Sequence, residues 1–276
     1  MVLQSLLLNT MDIISHTLTG IAVGTVVATL SNKTYKEKAG IMLIGALGGA
    51  LPDLDAISLW SKFDTTLGAY FRLAHTGRQI YTGKFWYSHH AAMHSMLAPL
   101  LFLLIAVIIK VLCKKGRKIS NLTQYLKQKK FLLSTFFLAY MCHLLEDMPT
   151  PASVWGGVNL FYPSTGYIGG YGKIWWWNNY DLVIIVSAVI LLNLIINSIP
   201  KRYHSIKWKT SIAIFFTGLG LFLVQINTRT IDFSYEGSTT KYSYFESESK
   251  KIQKEILGDK LYHIMSRIDS YIPLHF

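Results

Sequence analysis

Cysteine is nearly missing from this chain. Its two thiols, Cys113 and Cys142, lie in or beside apolar stretches and neither belongs to a CxxC pair. That excludes a disulfide framework and a thiolate metal site. Charge is scarce too: 15% of residues are charged against 51% hydrophobic, and the mean hydropathy is +0.32. Such a chain does not read as a soluble multidomain protein, and a membrane class is expected instead. Internal repeats and low-complexity tracts are lacking as well. The first apolar stretch, Val2 to Leu8, has no basic segment before it, which argues against a cleaved signal peptide. Met11 then reads as the natural start, with residues 1–10 as a non-native extension.

The charge that is present is one-sided, with 27 Lys and Arg against 15 Asp and Glu for a net +12. In a soluble domain this excess would suggest nucleic acid. Here the basic residues sit in short segments between apolar runs, a pattern that fits membrane orientation and anionic lipid, so no nucleic-acid partner is expected.

A bilayer core about 30 Å thick takes roughly 20 apolar residues in helix. Six segments approach this: Ile13 to Leu30, Ala39 to Leu51, Ala92 to Leu112, Phe131 to Cys142 running on to Asp147, Leu182 to Ile199, and Ser211 to Ile226. The second is short and carries Gly45, Gly48 and Gly49, small residues that let a neighbouring helix approach closely. The fold class is therefore an all-α polytopic membrane bundle of about six helices over residues 11–226. An α+β extracytoplasmic tail is expected over residues 227–276. In that tail, Asp232 to Phe245 alternate as one or two short strands would, and Ile252, Ile256, Leu257, Leu261, Ile264, Met265 and Ile268 form a helical apolar stripe.

Basic residues accumulate on the cytoplasmic side. Lys33, Lys36 and Lys38 follow the first helix, Lys114 to Lys130 the third, and Lys201, Arg202, Lys207 and Lys209 the fifth. The longer segments Pro52 to Tyr87 and Met148 to Tyr180, poor in Lys and Arg, should face the other side of the plasma (inner) membrane with the tail.

On that extracytoplasmic side fall four motifs: Ser15-His16-Thr17, Pro52-Asp53-Leu54-Asp55, His89 through Ser95, and His143-Leu144-Leu145-Glu146-Asp147. His143 and Asp147, at i and i+4, share a helix face and can offer two ligands to one ion. In an extended segment the carboxylates of Asp53 and Asp55 would point the same way. His90 and His94 would share a helix face, and His89 converges with His94 if the helix begins between them. Ligands of nitrogen and oxygen without sulfur favour Zn, Mn or Fe, with Zn or Mn foremost. One catalytic zinc needs about three protein ligands plus water, so seven candidates (His16, Asp53, Asp55, His89, His94, His143, Asp147) imply two ions or a set of supporting groups.

Plainer readings apply elsewhere. His75, His204, His263 and His275 read as cap or interfacial groups, Glu146 as a snorkelling side chain on another face, and Trp175 to Trp177 with Trp155, Phe161 and Tyr162 as an interfacial aromatic belt, with the lining of a lipid substrate groove as the alternative.

In these motifs the sequence resembles the YdjM family, described as LexA-binding, inner-membrane-associated, metal-dependent hydrolases. The family opening Met-Asp-x-x-Thr-His-x-x-x-Gly is similar to Met11 through Gly20, with Ser15 in place of Thr. Its Pro-Asp-x-Asp matches Pro52 to Asp55, and its His-x-x-x-Asp matches His143 to Asp147, followed by a Thr and Gly region like Thr150 to Gly157. Its His-Arg-Gly-x-Thr-His-Ser is similar to His89 through Ser95, which makes His89 and His94 the matching histidines. There His90 replaces Arg, Ala91 replaces Gly and Met93 replaces Thr. The resemblance runs from Met11 to Pro163 and implies a divalent metal site.

The expected function is hydrolysis at the membrane surface, on a small or amphiphilic substrate such as a lipid ester or phosphoester. Asp53, Asp55 and His90 are the candidate proton acceptors, taking a proton from metal-bound water. Two rivals stand beside this. A transporter would spread its polar groups through the membrane depth. A membrane-tethered regulator would recruit a protein partner on the basic loop Lys114 to Lys130.

Overall fold

The computed structural model describes residues 11–113 and 122–271. Residues 1–10, the first part of the basic loop after the third segment, and His275 lie outside the described residues.

The architecture is helical. Eight α-helices are described: α1 Met11–Leu30, α2 Tyr35–Ala50, α3 Gly77–Thr82, α4 Leu97–Cys113, α5 Leu122–Asp147, α6 Tyr180–Ser198, α7 His204–Ile226 and α8 Tyr242–Ser270. Helix α2 starts where Thr34 and Glu37 form a reciprocal capping box, and it gives way to a 3₁₀ run, Pro52–Leu59, at the proline. Each apolar segment read from the sequence falls within or overlaps one of these helices.

Six membrane-crossing helices are not what the structure supports. Among the described residues three are long and apolar enough to cross: Ile13–Leu30, Tyr180–Ser198 and Lys201–Ile226. A fourth exists if Tyr35–Ala50 and Pro52–Leu59, bent by 49°, count as one broken span. The remaining two fall short for physical reasons. Helix α4 is a shorter apolar helix, Leu97–Leu112, and the first turns of α5 carry Gln124, Lys127, Gln128, Lys129 and Lys130. The tail differs as well. No strand is described there, only an isolated bridge between Ser153 and Glu236, and most of its length is α8, kinked at Gly258, whose φ is +72°.

Helices α1 and α2 form the tightest pair, and glycines make it so. A Cβ on Gly20 would collide with the backbone of Gly45, and one on Gly49 with the carbonyl of His16. On the neighbouring face, Gly48 lies against the Phe136 backbone of α5. These contacts run the two helices antiparallel and bring the His16 end of α1 beside the Asp53 end of α2. The Gly49→Leu variant should therefore separate α1 from α2. Overpacking of this kind costs about 1–3 kcal/mol, so its unfolding midpoint in detergent should fall well below that of Gly40→Leu, where an added Cβ meets nothing.

The tail is bound to the bundle through the tryptophan run. Trp175 and Trp177 are buried with Phe233, Phe245 and Ile252 in one cluster. They are core residues holding α8 down, which corrects their reading as part of an interfacial belt. Beneath them Asp181, at the start of α6, pairs with Arg229 at 2.8 Å and accepts from the Gln253 amide of α8 at 2.9 Å.

Candidate metal centre

The four motifs meet at one end of the bundle. His16 comes from α1, Asp53 and Asp55 from the 3₁₀ run after α2, and His143 and Asp147 from the last turns of α5. His89, His90 and His94 come from the turns that precede α4. All of them are buried or nearly so.

Two local expectations are corrected here. Asp53 and Asp55 sit in a 3₁₀ turn and not in an extended strand, so they point to different partners: Asp53 to His94 and His143, Asp55 to His89 and His94. No helix carries both His90 and His94. His90 adopts a left-handed φ of +62°, and only Ala92–His94 are helical, in a single 3₁₀ turn. The convergence still occurs, because that turn folds the three imidazoles inward: His94 has its ring centroid 4.8 Å from both His89 and His90. The spacing of His143 and Asp147 behaves as expected, with Nε2 3.3 Å from Oδ2.

Four atoms define a centre: Nε2 of His94, Nε2 of His143, Oδ1 of Asp53 and Oδ2 of Asp147. The two imidazole nitrogens are 3.3 Å apart. His94 Nε2 lies 3.6 Å from Asp53 and 3.5 Å from Asp147, and His143 Nε2 lies 3.5 Å from Asp53 and 3.3 Å from Asp147. Ligand bonds of 2.0–2.1 Å in a regular tetrahedron set neighbouring ligand atoms about 3.3–3.4 Å apart. Five of the six edges of the set lie at 3.3–3.6 Å, close to that spacing. Asp147 Oδ2 is buried and accepts no hydrogen bond, and the same holds for Asp53 Oδ2. Buried carboxylate oxygens without donors are costly unless a cation meets them. Two carboxylates and two neutral imidazoles would balance a divalent charge, so the residues present fit the ion.

The surroundings orient these ligands as metal sites require. His143 donates Nδ1–H to the Gly49 carbonyl at 2.7 Å, which leaves Nε2 facing the centre. His94 has Asp55 Oδ2 3.1 Å from its Nδ1, and Asp55 Oδ1 lies 2.6 Å from His89 Nδ1. Tyr140 donates its hydroxyl to the Met93 carbonyl, fixing the turn that carries His94. Burial alone would push the His94 imidazole down, but the charges and hydrogen bonds of Asp55 and Asp53 overcome it and raise the pKa to about 10. The pocket therefore draws positive charge to this point. His90 goes the other way, to about 3, through burial and then the charges of His89 and His94.

On the far side of Asp147, Oδ1 stands 3.2 Å from His16 Nε2, while His16 Nδ1 is 2.8 Å from Glu146 Oε2. Glu146, read from the sequence as a snorkelling group, is thus part of the site; its other oxygen accepts from Thr19. His16, His143 and Asp147 form a second set of potential ligands, and His89, His90 and His94 a third. Trp155, also placed in the belt from sequence, packs 4.7 Å from His90 and 5.1 Å from His89 and walls the site. By contrast His75 stacks on Phe85, and His204 and His263 lie on α7 and α8.

The sequence model of the family described as YdjM inner membrane protein matches residues 11–230. The chain belongs to the YdjM family. The match extends beyond the motif-bearing part to include α6 and α7, so those helices are part of the YdjM unit and most of the tail follows it. No curated protein and no solved structure matches the chain. Family membership and the apolar helices agree on an inner-membrane protein, and the matched residues include all of its potential metal ligands.

Asp55 lies beside two of these imidazoles without joining the four-atom centre. The Asp55→Asn variant should lower metal affinity by about 10–100-fold, as expected when a group that orients a ligand is weakened. A competitive chelator titration measures it, with unchanged affinity counting against the role of Asp55.

Proposed function

We propose that this YdjM protein is a membrane-bound, metal-dependent hydrolase acting on an amphiphilic ester or phosphoester at the extracytoplasmic face. The observation that carries the reading is Asp147, whose donor-free Oδ2 sits 3.3 Å from His143 Nε2 and 3.5 Å from His94 Nε2, the two imidazoles that also face Asp53, while its Oδ1 faces His16. Three of the residues Asp53, His94, His143 and Asp147 would hold one divalent ion, Zn or Mn by the donor set, and the fourth would stand beside it, which leaves a position for water. Bound there, such an ion supplies a water whose pKa is brought towards neutrality.

The chain's own residues do the rest. Asp53 and Asp147 would balance the charge of a divalent ion, and the Gly49 carbonyl keeps His143 in the tautomer that presents Nε2. His16, held by Glu146, positions the Asp147 carboxylate and would be a ligand to a second ion if one were bound. His90 gives Nδ1–H to the Gly157 carbonyl at 3.0 Å, so its Nε2 can accept a hydrogen bond, but its lowered basicity leaves Asp55 the better candidate to take the proton. Trp155 and Trp176 exclude water from the His90 side.

The placement rests on charge. Lys33 and Lys36, and Lys201 and Arg202, lie at the bundle end opposite the ligands, and the basic end is the cytoplasmic one. Ligands gathered at one level favour a surface enzyme over a transport path.

The test uses detergent-purified protein stripped with chelator and reloaded with Zn or Mn. Turnover of a lipid ester or a phosphodiester should appear with the metal and vanish in His94→Ala. Retained metal with no turnover on either bond class removes the hydrolase reading and leaves ion binding.

A further inference from the structure

Helices α5 and α7 both pack on α1 without packing extensively on each other. The space between them is a cavity of about 520 Å³, within the range of about 300–1,000 Å³ typical of ligand pockets. Its floor is Ala22 of α1 with Val186 and Val189 of α6, and its walls are Leu145 of α5 and Leu219 and Leu223 of α7. These last three are 55%, 41% and 50% exposed, so the gap opens sideways between α5 and α7. Along α7 the lining runs from Phe215 to Asn227, about 18 Å at 1.5 Å per residue. One leaflet of hydrocarbon is about 15 Å deep.

The ends of the gap differ. Its deep part is apolar, while the end level with the metal centre has Glu146, Asn227 and Lys173. Lys173 forms no ion pair among the described residues, although Asp232 lies near enough to feel its charge, so its ammonium is open to a further anion at the headgroup level. Thr19 and Glu146 line this gap and also a second, smaller cavity that contains His16. An occupant of the gap therefore ends one side chain away from the ligand set.

We propose that this gap is the substrate's acyl-chain site: it holds one chain of an anionic phospholipid, with the headgroup phosphate at Lys173 and the ester or phosphoester turned past Glu146 towards the metal. The proposal rests on the hydrolase reading for its chemistry, but the binding it asserts does not need the metal. A groove of leaflet depth, open sideways to the bilayer and basic only at its outer end, fits a lipid taken from the same leaflet.

The experiment measures lipid binding to delipidated, chelator-stripped full-length protein by native mass spectrometry, with phosphatidylglycerol and phosphatidylcholine of identical chains as probes. Wild type should bind one phosphatidylglycerol in preference to phosphatidylcholine. Leu219→Trp, which fills the gap from an exposed position, should weaken that binding by about tenfold or more, and Leu223→Trp should do the same. Lys173→Gln should lower the preference for the anionic lipid by about fivefold, as one lysine near a charged surface implies. Equal binding of phosphatidylglycerol to wild type and both tryptophan variants overturns the proposal, whatever the metal content. Loss of binding in those variants supports it even if reloaded protein shows no turnover, an outcome that would remove the hydrolase reading alone.

Discussion

Asp147→Asn should release the bound ion. Purified wild-type protein is expected to carry at least one divalent metal per chain. Removing a group that merely orients a ligand costs about 10–100-fold in metal affinity, and Asp147 is more central than that. It brings Oδ2 to within 3.3 Å of His143 Nε2 and 3.5 Å of His94 Nε2, and its Oδ1 faces His16. Asparagine keeps the shape but removes the charge that both sides share, so affinity should fall by more than about 100-fold and turnover with it. Elemental analysis of wild type, Asp147→Asn and His143→Ala, each checked for helical content, decides the matter. Metal content equal in all three would remove the centre from consideration.

The second large effect concerns the tail. Asp181→Ala would leave the Arg229 guanidinium, whose side chain is 3% exposed, buried without its carboxylate, and would also strip the Gln253 amide of its acceptor. Breaking a buried pair by removing one partner costs about 3–5 kcal/mol. The variant should unfold at a clearly lower temperature and lose α8 to limited proteolysis first, because the anchor joins α6, the segment after α7, and α8. Ala in place of exposed Asp259, which pairs with Lys254 at 2.9 Å, should leave the midpoint unchanged. Replacing both partners, Asp181→Leu with Arg229→Met, should recover much of the loss, since a buried ion pair is often matched by apolar residues of similar volume. A single variant as stable as wild type would show that the pair does not hold the tail.

Much of the site was legible because its ligands are sparse and stereotyped. Ionisable groups in apolar helices are expensive and tend to be retained for function. That argument singled out His143 and Asp147, which the i, i+4 spacing already placed on one face, while His16 entered through its motif at the start of α1. Glu146 was not legible. It is on a different face of α5 from Asp147, and only the packing of α1 against that flank gives it His16 and Thr19 as partners. The same holds for Tyr140, whose hydroxyl reaches a carbonyl forty-seven residues away in sequence. The histidine pair His90 and His94 misled because helical spacing was assumed where the chain turns through a positive φ at His90.

The tail shows the other kind of failure. Alternating Phe233, Tyr235, Tyr242 and Tyr244 imitate a strand's period. In the fold Phe233 lies under Trp175 and Phe245, and Tyr242 opens a helix. Aromatic residues at such short intervals satisfy burial in several backbone conformations, so the choice fell to the tryptophan cluster they pack against.

Residue chemistry alone dictated the helical class, the likeness to YdjM, the basic loops and most of the candidate ligands, because hydropathy, charge and donor type are properties of each side chain. The 3.3–3.6 Å polygon of donors, the role of Glu146 and the gap between α5 and α7 arose only on folding. They depend on how closely glycine lets α1 approach α2 and on how far α1 holds α5 from α7, and those are distances between helices that no single stretch of sequence encodes.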